Sequence, residues 1–319
     1  MIGPLTTSAS AWRGFGEQGY AATLVPEAHG GLGLGACEAG LVAEQIGHTL
    51  APTPFFSTAV LAAALLARGG TAAQQAQWLP RIAAADTVLA LAVDEGARHR
   101  PDHMGTRAAR VDGGWRLDGE KTLVVDGHVA QALIVAARVD GGADGERALL
   151  LVPADAPGLT VQRTVMVDAH NAARVALAGV RVGDDALLGT LAGGQAVLDG
   201  VLDLGRAVVA SELVGLADEV FERTLDYLKQ RKQFDRAIGE FQALQHRMAD
   251  LFCDLEMARA LVRQAQAALD AGQADAPLRV AQAKARAHAS ANRAVQEGVQ
   301  LHGGIGMTDE LDIGLFMKR

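Results

Sequence analysis

The hydrophobic period changes twice along this chain. Up to about residue 88 the apolar side chains recur at helical spacing. Between about 89 and 190 they fall into short runs broken by Gly, Pro and Asp, and from about 191 the helical period returns. A chain written this way is expected to be α+β, mainly α, divided as 1–88, 89–190 and 191–319.

In the first third, helices are expected over 8–19, 36–47, 56–68 and 72–85, with Pro80 bending or ending the last. Gly30, Gly31, Gly33 and Gly35 resemble a phosphate loop only superficially. No Lys-Ser or Lys-Thr follows them and no strand–loop–helix unit surrounds them. They read as a turn that lets the next helix pack closely. In the middle third, strands are expected at 88–93, 108–111 and 115–117, the last two joined through Asp112-Gly113-Gly114. Further strands are expected at 121–125, 132–138, 148–152, 160–163, 174–176 and 180–182. Such a set implies a small β-barrel or sandwich.

Composition narrows the function. A net charge of −8 leaves no basic footprint for nucleic acid. Cys37 and Cys253 are too few and too far apart for a disulfide framework or a metal site, and suit reduced cysteines in a cytoplasmic protein. No apolar run is long enough to span a membrane, and no signal peptide is visible. Half the residues are hydrophobic but only 4% are aromatic, which favours helices crossing on small side chains. His99, His103 and Asp102 sit among Arg98 and Arg100, and so read as a mobile polar loop rather than a metal cluster.

The last third carries the most specific pattern. A helix is expected over 195–230, after Gly193 and Gly194. Its final residues lead into RKQFDRAIGEFQALQHRMAD at 231–250, where Phe234, Asp235 and Gly239 interrupt the helical period. The period resumes with Ile238, Phe241, Leu244, Met248, Leu251 and Leu255. Arg231 and the free N–H groups of such a turn could hold an anion, although a helix–turn–helix with a solvated Arg-Lys pair is the plainer reading of the stretch alone. A helix over 277–300 bears Lys284, Arg286, His288 and Arg293, a solvated face or a subunit contact. It ends in VQLHGGIG at 299–306.

Together, RKQF and QLHGGIG resemble the C-terminal helical domain of the acyl-CoA dehydrogenase family, and WRGFGEQGYAATLVPEAHGGLGLG at 12–35 resembles its first helix and turn. The resemblance implies an N-terminal helical domain, a middle β-barrel or sandwich domain and a C-terminal helical bundle. It also implies FAD, an acyl-CoA substrate, α,β-dehydrogenation with hydride transfer to the flavin, and electron-transfer flavoprotein as acceptor. By the same match Arg231 would pair with the FAD pyrophosphate and Phe234 would pack on the cofactor. Gln300, Gly303 and Gly304 would approach the ADP half of an FAD held mainly by a neighbouring subunit.

The sequence departs from that family where chemistry is expected. The family's acidic-Pro-Gly-x-Gly-Ser-Asp segment has become Asp94-Glu95-Gly96-Ala97-Arg98-His99, and its Trp-Ile-Thr-Asn-Gly has become Leu123-Val124-Val125-Asp126-Gly127. The stacking indole and a hydroxyl are thereby replaced by Leu123 and Val125. One family position for the catalytic glutamate is Gly205 here, and the other would fall beyond Arg319. Asp203 and Arg206 match groups near the thioester arm; Asp203, Glu212 or His302 are weak candidates for a relocated base. Met307-Thr308-Asp309-Glu310-Leu311 and the altered loops most resemble the small subunit of two-component enzymes such as pimeloyl-CoA dehydrogenase. The expectation is a homo-oligomer, or a hetero-oligomer with a sister subunit, acting in fatty acid or dicarboxylic acid degradation. The alternative is a non-catalytic partner that completes the FAD site of a sister chain.

Overall fold

The computed structural model describes residues 9–143, 146–168 and 170–319, so residue 8, the expected start of the first helix, lies outside the described residues. Two compact units are present. One contains the described residues up to Leu34 together with Pro52–Leu202, and the other contains Gly35–Ala51 and Asp203–Arg319.

In the first unit, α1 (Ala9–Glu17) buries Trp12, whose indole N–H donates to the Thr87 carbonyl at 3.2 Å. The glycine-rich turn after Pro26 is satisfied from within: Gly33 N–H bonds the Val25 carbonyl and Leu32 N–H bonds that of Ala22. A Cβ on Gly31 would lie 1.9 Å from the Val25 oxygen, so the glycine serves a close backbone approach. A π-helical stretch, Phe55–Ala62, continues into α3 (Ala63–Gly69). Then α4 (Ala72–Ala83) starts from a capping box of Thr71 and Gln74 and tolerates Pro80 in its last turn.

The sheet of this unit comprises β1 (Leu89–Ala92), β2 (Arg107–Val111), β3 (Gly114–Val125), β4 (Ala132–Val139), β5 (Arg147–Pro153), β6 (Leu159–Thr164) and β7 (Ala172–Gly183). Its order is β1-β4-β2-β3-β7-β6, with β5 also on β4. The strands expected separately at 115–117 and 121–125 are one strand, β3, and those expected at 174–176 and 180–182 are one strand, β7. Register shifts between Leu117 and Gly119 and between Lys121 and Val124 break the period-two pattern without ending the pairing. Gly119 takes φ +150° against Thr106, where a Cβ would clash at 2.6 Å. The result is a single curled sheet.

The second unit packs α2 (Ala36–Thr49), α5 (Leu191–Gln230) from Asp203 onward, α6 (Gln242–Asp270), α7 (Ala276–His302) and the short α8 (Ile313–Lys318). Helix α6 begins four residues later than the apolar pattern implied, because Ile238–Glu240 forms a separate tight turn. Its last residue caps α2: the Asp270 carboxylate accepts from the N–H groups of Ala36 at 2.6 Å and Cys37 at 3.0 Å. Helices α2 and α5 cross on glycine. A Cβ on Gly47 would lie 2.1 Å from the Glu212 carbonyl oxygen, and one on Gly215 would lie 1.9 Å from that of Glu44. Alanines at 207, 210, 258, 265, 283 and 287 build one core, and Val220, Leu251, Leu255, Ile313 and Phe316 build another.

Candidate functional site

The RKQF and QLHGGIG segments meet in the second unit. Leu301 from α7 is buried with Leu228 of α5 and Met248 of α6. The His302 ring lies against Tyr227 with centroids 4.4 Å apart, while its Nδ1–H donates to the Gly298 carbonyl at 2.7 Å. Burial lowers the His302 pKa, only partly offset by that bond, and the ring is 4% exposed against Tyr227.

Beyond α5 the chain forms a two-residue hairpin, β8 (Lys232–Gln233) with β9 (Arg236–Ala237), instead of a plain break. Its turn residues, Phe234 and Asp235, have φ of 55° and 63°. Two consecutive positive values match the type I′ hairpin turn, which asparagine and glycine adopt readily and phenylalanine does not. Phe234 is also 86% exposed and lies T-shaped to Phe241, over which Arg236 stacks at 4.1 Å. A large apolar residue held in a strained conformation in water is a mark of function. Arg231 is exposed beside it and pairs with no carboxylate among the described residues.

After α7, Gly303 turns at φ 67°, ψ −145°, and ideal Cβ atoms on Gly303 and Gly304 meet nothing within 4 Å. This is bare backbone open to a ligand. Gln300 is exposed just before it, and Ile305 and Met307 are exposed just after it. A free guanidinium, an aromatic face and an open glycine backbone suit a flat, anionic group such as the ADP half of a dinucleotide.

The sequence candidates for a base have other partners. Asp203 pairs with Arg206 one turn along α5 at 2.7 Å. Glu212 is gripped by Arg319, through Nε at 2.9 Å and Nη2 at 2.7 Å, with both side chains largely buried. Gly205 is buried on the same helix.

In the first unit, Leu123 is 43% exposed at φ 52° and Val125 is half-buried, so an apolar wall without a hydroxyl stands there. The 94–106 loop is held by its own acids. Asp94 binds the His99 ring at 3.0 Å, and His103 pairs with Asp102 at 3.6 Å, which splits the residues that might have formed a metal cluster. Glu95 accepts the N–H groups of Gly105 and Thr106 and the Nζ of Lys121 at 2.7 Å. Lys121 is fully buried and also donates to the Val93 carbonyl at 3.0 Å. Burial alone would raise the Glu95 pKa, but the bonds from Lys121, Thr106 and Gly105 outweigh it and hold the carboxyl at about 2. The sequence shows Lys121 only as the start of a strand expected at 121–125 and does not reveal this clamp. A second unforeseen link joins Ser57 to the buried Asp126 at 2.7 Å.

Models of the three acyl-CoA dehydrogenase domains match along the chain, the N-terminal domain over residues 5–86, the middle domain over 90–180 and the C-terminal domain over 192–319. The chain belongs to the acyl-CoA dehydrogenase family. It is therefore an oxidoreductase acting on CH–CH groups of acyl-CoA thioesters, with FAD as cofactor. Among curated relatives, acyl-CoA dehydrogenase FadE12 of Mycobacterium tuberculosis is 31% identical over 317 residues, covering 97% of this chain and 82% of its own. Among solved structures, a variant of the Tcur3481–Tcur3483 steroid ACAD is 33% identical with a TM-score of 0.87, covering 97% of this chain and 82% of that one. The ChsE4–ChsE5 complex of M. tuberculosis is 30% identical with a TM-score of 0.86, covering 97% and 81%.

Proposed function

We propose that this chain is one subunit of a two-component, FAD-dependent acyl-CoA dehydrogenase, to whose cofactor it contributes the ADP-side lobe. The observation that carries this reading is the strained, solvent-facing Phe234 turn, in a unit that also exposes Arg231, with no carboxylate partner among the described residues, and the open Gly303-Gly304 backbone. Such an exposed surface would meet a group presented from a neighbouring chain. When bound, FAD supplies the hydride acceptor. Arg231 would neutralise the pyrophosphate, Phe234 would pack on the cofactor, and Gln300, Gly303 and Gly304 would approach its ADP half. Asp203 and Arg206 would lie near the thioester arm as an ion pair that orients rather than abstracts a proton.

The partner reading is supported by Gly205, by the apolar Leu123 and Val125, and by the grip of Arg319 on Glu212, which leaves that acid engaged. The sister subunit would then provide the base, and electron-transfer flavoprotein would take the electrons. An alternative with the same lobe is a purely non-catalytic partner, distinguished by full activity of the complex when Asp203 and Arg206 are both replaced. The acyl group would be a fatty or dicarboxylic acid; the pimeloyl comparison rests on residues 307–311 and the altered loops at 94–99 and 123–127. We retain the functional division 1–88, 89–190 and 191–319, and a cytoplasmic setting, which the free thiols of Cys37 and Cys253 suit.

The test is a visible absorption spectrum of the chain purified alone, at known concentration and native mass, and then with a sister subunit. Yellow colour only in the complex is expected. A yellow homo-oligomer with about one FAD per chain that turns over an acyl-CoA would refute the two-component reading.

A further inference from the structure

Between α2, α5 and α6 lies a cleft of about 270 Å³ that plays no part in the cofactor lobe. That is room for about nine waters at about 30 Å³ each, or for an aliphatic chain of about six to eight carbons. Leu41, Val214 and Val262 wall it. Gly40 lets the backbone of α2 approach the Gln266 side chain in its lining, where a Cβ would lie 2.1 Å from Nε2. At its base, Gln266 and Ser211, 4% and 3% exposed, are joined by a 2.6 Å bond from Nε2 to Oγ.

The charges at the cleft are unequal in their freedom. Arg259 is taken up by Glu44, Asp218 and Glu256. Arg263, one turn further along α6, is exposed at the rim and has no carboxylate partner among the described residues. Cys37 also borders the cleft; burial, then the bond and charge of Asp270, push its thiol up to about 11, so it is a neutral wall and not a nucleophile. An apolar slot with one available guanidinium at its mouth selects a molecule that is aliphatic at one end and anionic at the other.

We propose that this cleft binds a medium-chain aliphatic carboxylate, its chain against Leu41, Val214 and Val262 and its carboxylate on Arg263. The site is independent of the two-component reading. The experiment is calorimetric titration of the full chain, or of its complex if it is isolated only as one, with octanoate, octan-1-ol and octylamine. Octanoate is expected to saturate a single site and to bind at least tenfold more tightly than the alcohol or amine. Arg263→Gln is expected to weaken octanoate about tenfold and leave octan-1-ol unchanged, by loss of the charge-assisted bond. Leu41→Trp, at a position 59% exposed, is expected to block the cleft and abolish binding without unfolding the helix. Circular dichroism melts of both variants confirm the fold. Absence of saturable octanoate binding, equal binding of octylamine, or unchanged octanoate affinity in both variants would each overturn the proposal. So would octanoate binding that responds to Arg231→Ala but not to Leu41→Trp.

Discussion

Replacing Lys121 by methionine tests how the 94–106 loop is held. The ammonium is fully buried, bonded to Glu95 at 2.7 Å and to the Val93 carbonyl at 3.0 Å. Breaking a buried pair by removing one partner costs about 3–5 kcal/mol when the other charge is left bare. Glu95 would not be bare, since it keeps the N–H groups of Gly105 and Thr106 and its side chain is 19% exposed. The expected loss is therefore about 2–3 kcal/mol at neutral pH. The pair also sets an acid limb. The folded carboxyl, at about 2, lies below its ordinary 4.5, so its stabilisation is fully present above 4.5 and is lost as pH falls toward 2. At 1.36 kcal/mol per unit that is about 3 kcal/mol at most, and about 2 after solvent screening. Lys121 acts in the opposite sense. Burial, only partly countered by Glu95, lowers its pKa, so it adds stability as pH rises toward the ordinary lysine range. Urea unfolding at pH 7 and pH 3.5 reads both effects: Lys121→Met should be destabilised at pH 7 and show a shallower acid loss. Unfolding free energies within about 0.5 kcal/mol of the parent at both pH values, a difference typical of a surface change, would refute the clamp.

Phe234→Gly should relieve a left-handed turn worth about 1 kcal/mol, leave thermal stability equal or higher, and still lower FAD retention in the complex, read by melting and flavin absorbance. Retention equal to the parent would remove Phe234 from the cofactor surface. Glu212→Gln should cost about 1–3 kcal/mol through the lost grip of Arg319 while turnover per bound flavin is kept; abolished turnover at intact flavin content would restore Glu212 as the base. Gly215→Ala should cost about 1–3 kcal/mol in a denaturant titration, because its Cβ would press on the Glu44 carbonyl oxygen, and an unchanged midpoint would mean that α2 is not seated on α5 there.

Legibility followed the range of the interactions. The helical thirds were readable because their apolar spacing is local, although α4 runs on past Pro80 to Ala83 instead of ending at it. The β-domain was readable in content but not in continuity. A bulge at Gly119 splits the alternation of β3, so one strand looked like two. At the lobe, RKQF and QLHGGIG could be paired only through family resemblance. The physical link, Leu301 on Leu228 and Met248, is a contact between residues distant in sequence that no periodicity encodes. The hairpin at Phe234 escaped for another reason: its turn residues are not those that announce a type I′ turn. The Lys121 clamp and the Arg319 grip on Glu212 were invisible because a lysine or glutamate is ordinarily read as solvated, and only tertiary structure reveals the partner.

The seat of α2 bears on the order in which the protein is made. This helix is synthesised early, but its neighbours in the second unit begin at Asp203, beyond the whole of Pro52–Leu202. At ribosomal speeds the wait is on the order of ten seconds or longer, far beyond the time a helix needs to form. Closing so long an intervening segment adds little to the equilibrium cost but delays the contact. Meanwhile the face of α2 destined for burial consists of Ala36, Ala39, Gly40, Ala43, Ile46 and Gly47. Apart from Ile46 it offers nascent neighbours almost nothing to stick to, so the small side chains needed for a tight crossing also keep the waiting segment from associating wrongly before its docking surface has left the ribosome.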